Sequence, residues 1–266
     1  MRSNSSNDEP SNTMKPQQNY ALLSCQDCLN GAGLSFQFSM AFQPILDVSK
    51  NEIFAYEALV RGTQGESAAW ILEHVNESNR YRFDQAIRVK AIELATSLNL
   101  STHLSINFLP NAVYRPETCI RATLQAAKAF NFPIDRIIFE VTEGEKIEDK
   151  SHLISIIQEY KRQGFKTAID DFGAGYSGLN LLAEFQPDLI KLDLALVRNI
   201  HQDKVKQAIL HGTMIVCQEV GIDIIAEGIE TKAELDFLVS SGIRYVQGFY
   251  FAKPEFEQLP LPQHVG

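Results

Sequence analysis

Cysteine is scarce, with four in 266 residues: Cys25, Cys28, Cys119 and Cys217. Only Cys25 and Cys28 have the spacing of a metal or redox pair, and no second pair follows to complete a zinc site. The strand before and helix after that a redox motif wants are also missing. Two unpaired thiols in an N-terminal extension are the favoured reading. Basic residues are outnumbered, 24 Lys+Arg against 33 Asp+Glu, for a net charge of −9. That balance argues against a broad surface for a nucleic-acid polymer. It leaves a phosphorylated small molecule open, because bound divalent cations invert the sign of a local site. No apolar run approaches the length of a membrane helix. The N-terminus, Met-Arg-Ser-Asn-Ser-Ser-Asn-Asp-Glu-Pro, has no apolar core of a signal peptide. Both absences predict a cytoplasmic protein without membrane insertion, in a reducing compartment. There is no internal repeat, and no Pro/Gly/Ser-rich break interrupts residues 36–254.

The hydrophobic fraction of 45% and charged fraction of 21% are those of an ordinary globular protein. The length suffices for one domain with a sizeable core. Residues 1–35 are rich in Ser, Asn, Gln and Gly and predict a disordered or loosely attached leader. The folded domain is expected over 36–258, with a short tail over 259–266.

Within that domain strand-like and helix-like segments alternate. The strands are predicted at 40–48, 53–61, 103–108, 136–142, 166–171, 189–193, 223–227 and 244–249. The polar turn Ser49-Lys50-Asn51 between the first two predicts an antiparallel hairpin. Helices are predicted at 84–98, with Ile87, Ala91, Leu94 and Leu98 on one face, and at 151–163, capped by Gly164. A third, 204–220, carries Val205, Ile209, Gly212 and Val216. Thr231 and Glu234 form a capping-box pattern for a fourth, with Gly242 after its end. Eight strands, most followed by helices, predict an α/β fold: a (β/α)8 TIM-like barrel with an irregular start. A doubly wound open sheet is the structural rival, since alternation alone does not fix closure.

The most informative stretch is 166–182. The apolar pair Ala168-Ile169 stops at two adjacent carboxylates, Asp170 and Asp171. A loop punctuated by Gly173, Gly175 and Gly178 follows, then Leu179, Leu182 and Phe185 at helical spacing. Adjacent acids repel unless a proton or a cation separates them. The other strands end in polar groups too: Glu57 and Arg61, Asn107, Glu140 with Glu143 beyond, Lys191 and Asp193, Glu227 with Glu230 beyond, and Gln247. Any one such acid is more often a solvated loop residue or a helix cap. Nearly every strand ending in one is the signal. In a parallel barrel these ends converge on one mouth, where hard oxygen ligands suit Mg²⁺ or Mn²⁺.

Two other motifs compete. Gly173-x-Gly175-x-x-Gly178 lies between a strand and a helix, with Asp193 about 20 residues on, as in a dinucleotide fingerprint. It would set two carboxylates against a pyrophosphate and leave the other acids unused. Asp171-Phe-Gly is the triplet of a kinase metal site, but no His-Arg-Asp loop accompanies it.

The ordered motifs resemble the EAL-domain cyclic di-GMP phosphodiesterase family. They are Phe-Gln-Pro-Ile at 42–45, Glu57-Ala58-Leu59, Ser-Ile-Asn-Phe at 105–108 and Phe-Glu-Val-Thr-Glu at 139–143. They continue with Asp-Asp-Phe-Gly-Ala-Gly-Tyr-Ser at 170–177, Ile-Lys-Leu-Asp at 190–193, Ala-Glu-Gly-Ile-Glu at 226–230 and Gln-Gly-Phe-Tyr-Phe-Ala-Lys-Pro at 247–254. A lone Glu-Ala-Leu means nothing; the ordered set over 36–258 is specific. Ala174 and Gly178 depart from the residues commonest in the family, without touching a ligand position.

The resemblance implies a modified barrel whose first strand runs antiparallel. It implies two Mg²⁺ or Mn²⁺ ions held by Glu57, Asn107, Glu140, Asp170, Asp171 and Glu227, with Asp170 bridging. Lys191, Glu227 and Asp171 would be catalytic, Lys191 by orienting the attacking water. Gln43, Leu59, Arg61, Asp193, Glu230 and Gln247 would contact the substrate or support its site. Glu143 would anchor the loop after the fifth strand. In-line attack by activated water on one phosphodiester, with the 3′ oxygen leaving, would give linear pGpG. A homodimer and a regulatory protein partner are expected as well. The alternative is a catalytically silent cyclic di-GMP receptor or protein-interaction module.

Overall fold

The structure, a computed structural model, describes residues 33–142, 150–173 and 178–263. Cys25, Cys28, Glu143 and the loop residues 174–177 lie outside the described residues. The chain begins with β1 (Phe38–Asp47) and β2 (Glu52–Gly62), followed by α1 (Ala68–Glu73) and α2 (Arg80–Ser97). Then come β3 (His103–Asn107), α3 (Pro116–Ala129), β4 (Ile137–Thr142), α4 (Lys150–Gln163) and β5 (Lys166–Phe172). After these lie α5 (Gly178–Glu184), β6 (Leu189–Leu192), α6 (Leu194–Val197) and α7 (Lys204–Val220). The last elements are β7 (Asp223–Ala226), α8 (Lys232–Ser240), β8 (Tyr245–Val246) and β9 (Glu255–Phe256).

Strands β2 to β8 run parallel in sequence order, and β1 closes the sheet antiparallel to both β8 and β2. The fold is therefore the closed α/β barrel with a reversed first strand, not an open sheet. The reversal follows from the hairpin: Asn51 takes a left-handed φ of 56°, and β1 folds back on β2 with Gln43 opposite Glu57. At 10 residues β1 is long enough to pair with β8 near its C-terminal end and with β9 near its middle.

The two-residue period of a strand sorts its side chains. Ile45, Ala55, Ile138, Ala168, Leu189, Ile225 and Tyr245 pack together as an apolar plug inside the barrel. The intervening residues, among them Tyr56, Ile106, Phe139, Ile169 and Ile190, face the helices in the main core. Two positions further along the chain from the plug residues of β2, β4, β5, β6, β7 and β8 stand Glu57, Glu140, Asp170, Lys191, Glu227 and Gln247. On the reversed β1 the equivalent step backwards reaches Gln43. The apolar plug is thus the floor, and the polar strand ends are the layer above it.

Helix ends follow local chemistry. Asp203 accepts from the N–H groups of Val205 and Lys206 at the start of α7, and the Thr231–Glu234 capping box forms at the start of α8. Gly164 ends α4 with φ 96°. Four elements were not foreseen: α1, α3, α6 and β9. In α3 the buried face is Cys119, Ile120, Thr123, Ala126 and Ala127, at full helical spacing but built mostly of small residues that stand out little from their neighbours. The predicted β6 stops one residue early because Asp193 caps α6, its side chain accepting from Ala195 N–H. On α7 the apolar Val205, Ile209 and Val216 are exposed, while Leu210, Thr213 and Cys217 are buried. Beyond residue 258 the chain stays attached: Tyr56 donates to Pro260 O, and Gln263 N–H to Phe251 O. Among the described residues no helix is long and apolar enough to cross a membrane.

Candidate active site

Lys191 is the hub of the barrel mouth. Its Nζ lies 2.7 Å from Glu227, 2.9 Å from Glu140, and 3.3 Å from both Glu57 and Asp170. The lysine is 1% exposed, so this charge is satisfied almost wholly by carboxylates. Burial alone would depress its pKa, but Asp170, Glu140, Glu227 and Glu57 outweigh that and hold it well above the usual lysine range.

One ammonium does not neutralise the cluster. Glu57, Glu140 and Asp170 present oxygens within 4.8 Å of one another, and so do Asp170, Asp171 and Glu227. Burial raises Glu140 to about 8, with Glu57 and Asp170 adding to the rise and Lys191 opposing it. Burial likewise raises Glu227, again against Lys191. Burial first, then the charges of Asp170 and Asp193, raises Asp171 to about 6. These acids are held at a cost that a divalent cation would remove. Asp170 belongs to both groups, as a bridging ligand would.

Consecutive strand residues point to opposite faces, yet Asp170 and Asp171 both reach the mouth. The backbone explains it. Asp171 takes a left-handed φ of 54°, the β5–β6 register breaks between Ile169 and Phe172, and Asp171 N–H donates to Asp170 at 2.9 Å. Asp is among the few residues that tolerate this conformation, and such strain gathers at functional sites.

Amide and hydroxyl groups orient the acids. Asn107 Nδ2 donates to Glu57 at 3.0 Å, and Gln247 Nε2 donates to Glu57 at 2.8 Å and to Gln43 at 3.2 Å. Gln43 Nε2 in turn holds Ala252 O at 3.0 Å. The Ser105 hydroxyl donates to Glu140. Gln247 Oε1 is buried without a hydrogen-bond partner. An orphaned acceptor beside carboxylates and an amide is a donor set for a hard cation or its water shell.

A cavity of about 250 Å³ opens above these groups, lined in part by Gln43, Glu57, Leu59, Asp170, Asp171, Lys191, Glu227, Glu230 and Gln247. Gly248 also lines it: a Cβ there would lie 2.1 Å from Ile229 O, so only glycine lets the two loops meet. Most of the expected site residues therefore converge. Asn107 and Glu140 lie beneath, bonded to Glu57 and Lys191. Arg61 does not line the cavity; its Nη1 donates to Val60 O, and burial lowers its pKa against the pull of Glu57. Asp193 caps α6. Glu230 is bound by Arg198 at 2.6 Å.

Sequence reasoning missed Ser105, Leu194, Phe249 and Arg198. Ser105 was legible, two positions before Asn107 on the same strand face. Exposed Leu194 and Phe249 form an apolar rim of the cavity, which no spacing signals.

The EAL domain family profile matches residues 29–254. Among curated relatives, the blue light- and temperature-regulated antirepressor BluF of Escherichia coli (strain K12) is 34% identical over 221 residues, 83% of this chain and 55% of BluF. The cyclic di-GMP phosphodiesterase PdeR of the same strain is 37% identical over 167 residues, 63% of this chain and 24% of PdeR. The chain thus spans about half or less of the length of these relatives. Among solved structures, a standalone versatile EAL protein from Vibrio cholerae O395 in its c-di-GMP bound form superposes with a TM-score of 0.85 at 55% identity, covering 87% of this chain and 98% of that one.

Proposed function

The chain belongs to the EAL domain family, and on that footing we propose that it is a divalent-cation-dependent phosphodiesterase that hydrolyses cyclic di-GMP to linear pGpG. The observation that carries this is the convergence of Glu57, Glu140, Asp170 and Glu227 on one buried lysine, with Asp171 grouped beside Asp170 and Glu227. The PdeR relative and the c-di-GMP bound Vibrio cholerae structure supply the substrate.

Glu57, Asn107, Glu140 and Asp170 would hold one Mg²⁺ or Mn²⁺, and Asp170, Asp171 and Glu227 a second. Such ions lower the pKa of water and offset charge on phosphoryl oxygens. Lys191 Nζ and Glu227 touch directly at 2.7 Å; with Glu227 held by the second cation, Lys191 would be free to donate to the attacking water beside it. Burial and Asp170 raise Asp171 to about 6 in the cation-free site, and a bound cation would hold it ionised, where it would orient the attacking water. Gln43, Leu59, Glu230 and Gln247 shape the nucleotide's seat, and Arg61 would pair with a phosphate after swinging from Val60. Asp193 acts on the site through its charge on Asp171, and Glu143 would serve as the anchor of the loop after β5.

The exposed apolar stripe Val205, Ile209 and Val216 on α7 supports association with a second copy of the chain, as a homodimer open to a regulatory protein. A cytoplasmic second-messenger substrate would suit a cytoplasmic enzyme, with residues 36–258 as its catalytic unit. A silent receptor or interaction module is the second reading, favoured by the BluF relative, an antirepressor by name. Incubating the full chain with cyclic di-GMP and Mg²⁺ or Mn²⁺ separates the two: pGpG supports the enzyme, and tight binding without product supports the receptor.

A further inference from the structure

Behind the mouth, on the helix side of the barrel wall, lies a second buried charge pair that the proposed reaction does not use. Asp84 and Arg88 stand four residues apart on α2, both wholly buried, with Arg88 Nη2 2.7 Å from Asp84 Oδ2. A buried ion pair is weak evidence for stability, since apolar residues of similar volume often serve as well. Its contacts are therefore informative.

The contacts converge on the two strands that carry Asn107 and Glu140. These residues are paired in register across β3 and β4. Their chain neighbours Phe108 and Phe139 turn the other way and pack edge to face, with centroids 5.9 Å apart. The Arg88 guanidinium lies over both rings, 5.3 Å from Phe108 and 5.0 Å from Phe139. It also donates to Tyr160 OH on α4 at 2.7 Å, and lies 5.5 Å from that ring. Asp84 Oδ1 accepts the Leu109 N–H at 2.9 Å, two residues after Asn107, and Gln85 donates to Asp84 Oδ2. Phe108 N–H donates to Glu140 O at 3.0 Å, which ties the two strand ends together.

A guanidinium over two aromatic faces is held by cation–π attraction, which strengthens where water is excluded. Arg88 therefore fixes the rear of β3 and β4, and Asp84 fixes both Arg88 and the chain leaving β3. Asn107 is bonded in sequence to Phe108 and Glu140 to Phe139, so contacts that fix the two rings at the rear also fix the backbone that carries the two front side chains. We propose that Arg88, fastened by Asp84, is a positioning residue that sets the spacing of Asn107 and Glu140 as a cation-ligand pair. This rests on the assignment of Asn107 and Glu140 to the first cation.

The test is a calorimetric Mn²⁺ titration of the full chain, with kinetics and thermal unfolding alongside. Asp84→Asn/Arg88→Met removes both charges, while the amide oxygen introduced at position 84 can still accept the Leu109 N–H. Tyr160→Phe removes only the hydroxyl. The double variant should unfold cooperatively, bind Mn²⁺ about 10- to 100-fold more weakly, and lose kcat with little change in KM. Tyr160→Phe should shift Mn²⁺ affinity the same way by a few-fold. A folded double variant with native Mn²⁺ affinity overturns the proposal; a merely structural role would lower Tm and leave affinity alone. If the double variant does not fold, unchanged affinity in Tyr160→Phe overturns it instead. A parent chain that binds Mn²⁺ without turnover overturns the phosphodiesterase assignment, and the affinity comparison still decides the positioning role. A parent chain that binds no Mn²⁺ overturns both.

Discussion

Asp171 gives its backbone N–H to the carboxylate of Asp170 at 2.9 Å, and does so from a left-handed φ of 54°. This one irregularity turns two successive strand residues toward the same mouth. Asn tolerates the same backbone, so Asp171→Asn should keep the fold. Turnover should fall by about 100-fold or more, because a charged ligand of the second cation is lost. Steady-state kinetics with thermal unfolding checks both halves; native turnover would remove Asp171 from the catalytic set.

Lys191 is the sole cation in contact with Glu57, Glu140, Asp170 and Glu227 among the described residues. Lys191→Met fills similar space without charge and leaves those acids facing one another. The cation-free variant should lose about 3–5 kcal/mol of stability. Mn²⁺ should then raise its Tm more than it raises that of the parent chain, while turnover is abolished. A thermal-shift series with and without Mn²⁺ measures the difference.

Gly248 touches the backbone of Ile229, where a Cβ would lie 2.1 Å from the carbonyl oxygen. Backbone cannot swing aside as a side chain can. Gly248→Ala should destabilise by about 1–3 kcal/mol and displace the loop that bears Glu230. Denaturant unfolding tests the first expectation, and a raised KM for cyclic di-GMP the second.

At the opposite end of the hairpin, burial acts to raise the Asp47 carboxyl, but Arg244 and Ser49 outweigh it and lower it from 3.8 to about 2. A carboxyl lowered in the fold contributes stability above its unfolded value and loses it as pH falls through the folded value. Asp47→Asn should therefore cost about 1–2 kcal/mol at pH 7, since Arg244 is partly in solvent. The difference should shrink below about pH 4 and vanish only below about pH 2, as paired unfolding curves would show.

Much of the site was legible because the strand period is a strict rule. Positions 55, 138, 168, 189, 225 and 245 are apolar, and the positions two further on are polar, so floor and site can be read off together. Asp170 and Asp171 break the rule, and the glycines after them only hint at the turn involved. The barrel's closure was less legible. It depends on how β1 meets β8, a pairing of Leu46 with Val246 that joins the two ends of the domain and has no local signature. The direction of α7 was not legible: an apolar stripe at helical spacing reads the same whether it faces a core or a partner. Asp193 shows the opposite lesson, a strand-end acid whose visible work is to cap a helix.

The most direct measurement is chromatography of cyclic di-GMP incubated with the full chain across a Mn²⁺ titration, with a chelator control and Glu57→Ala alongside. A two-cation phosphodiesterase should yield pGpG that rises with Mn²⁺, stops with chelator, and is absent from a folded Glu57→Ala. Cyclic di-GMP returned intact at saturating Mn²⁺, or product that Glu57→Ala still makes, would contradict that assignment.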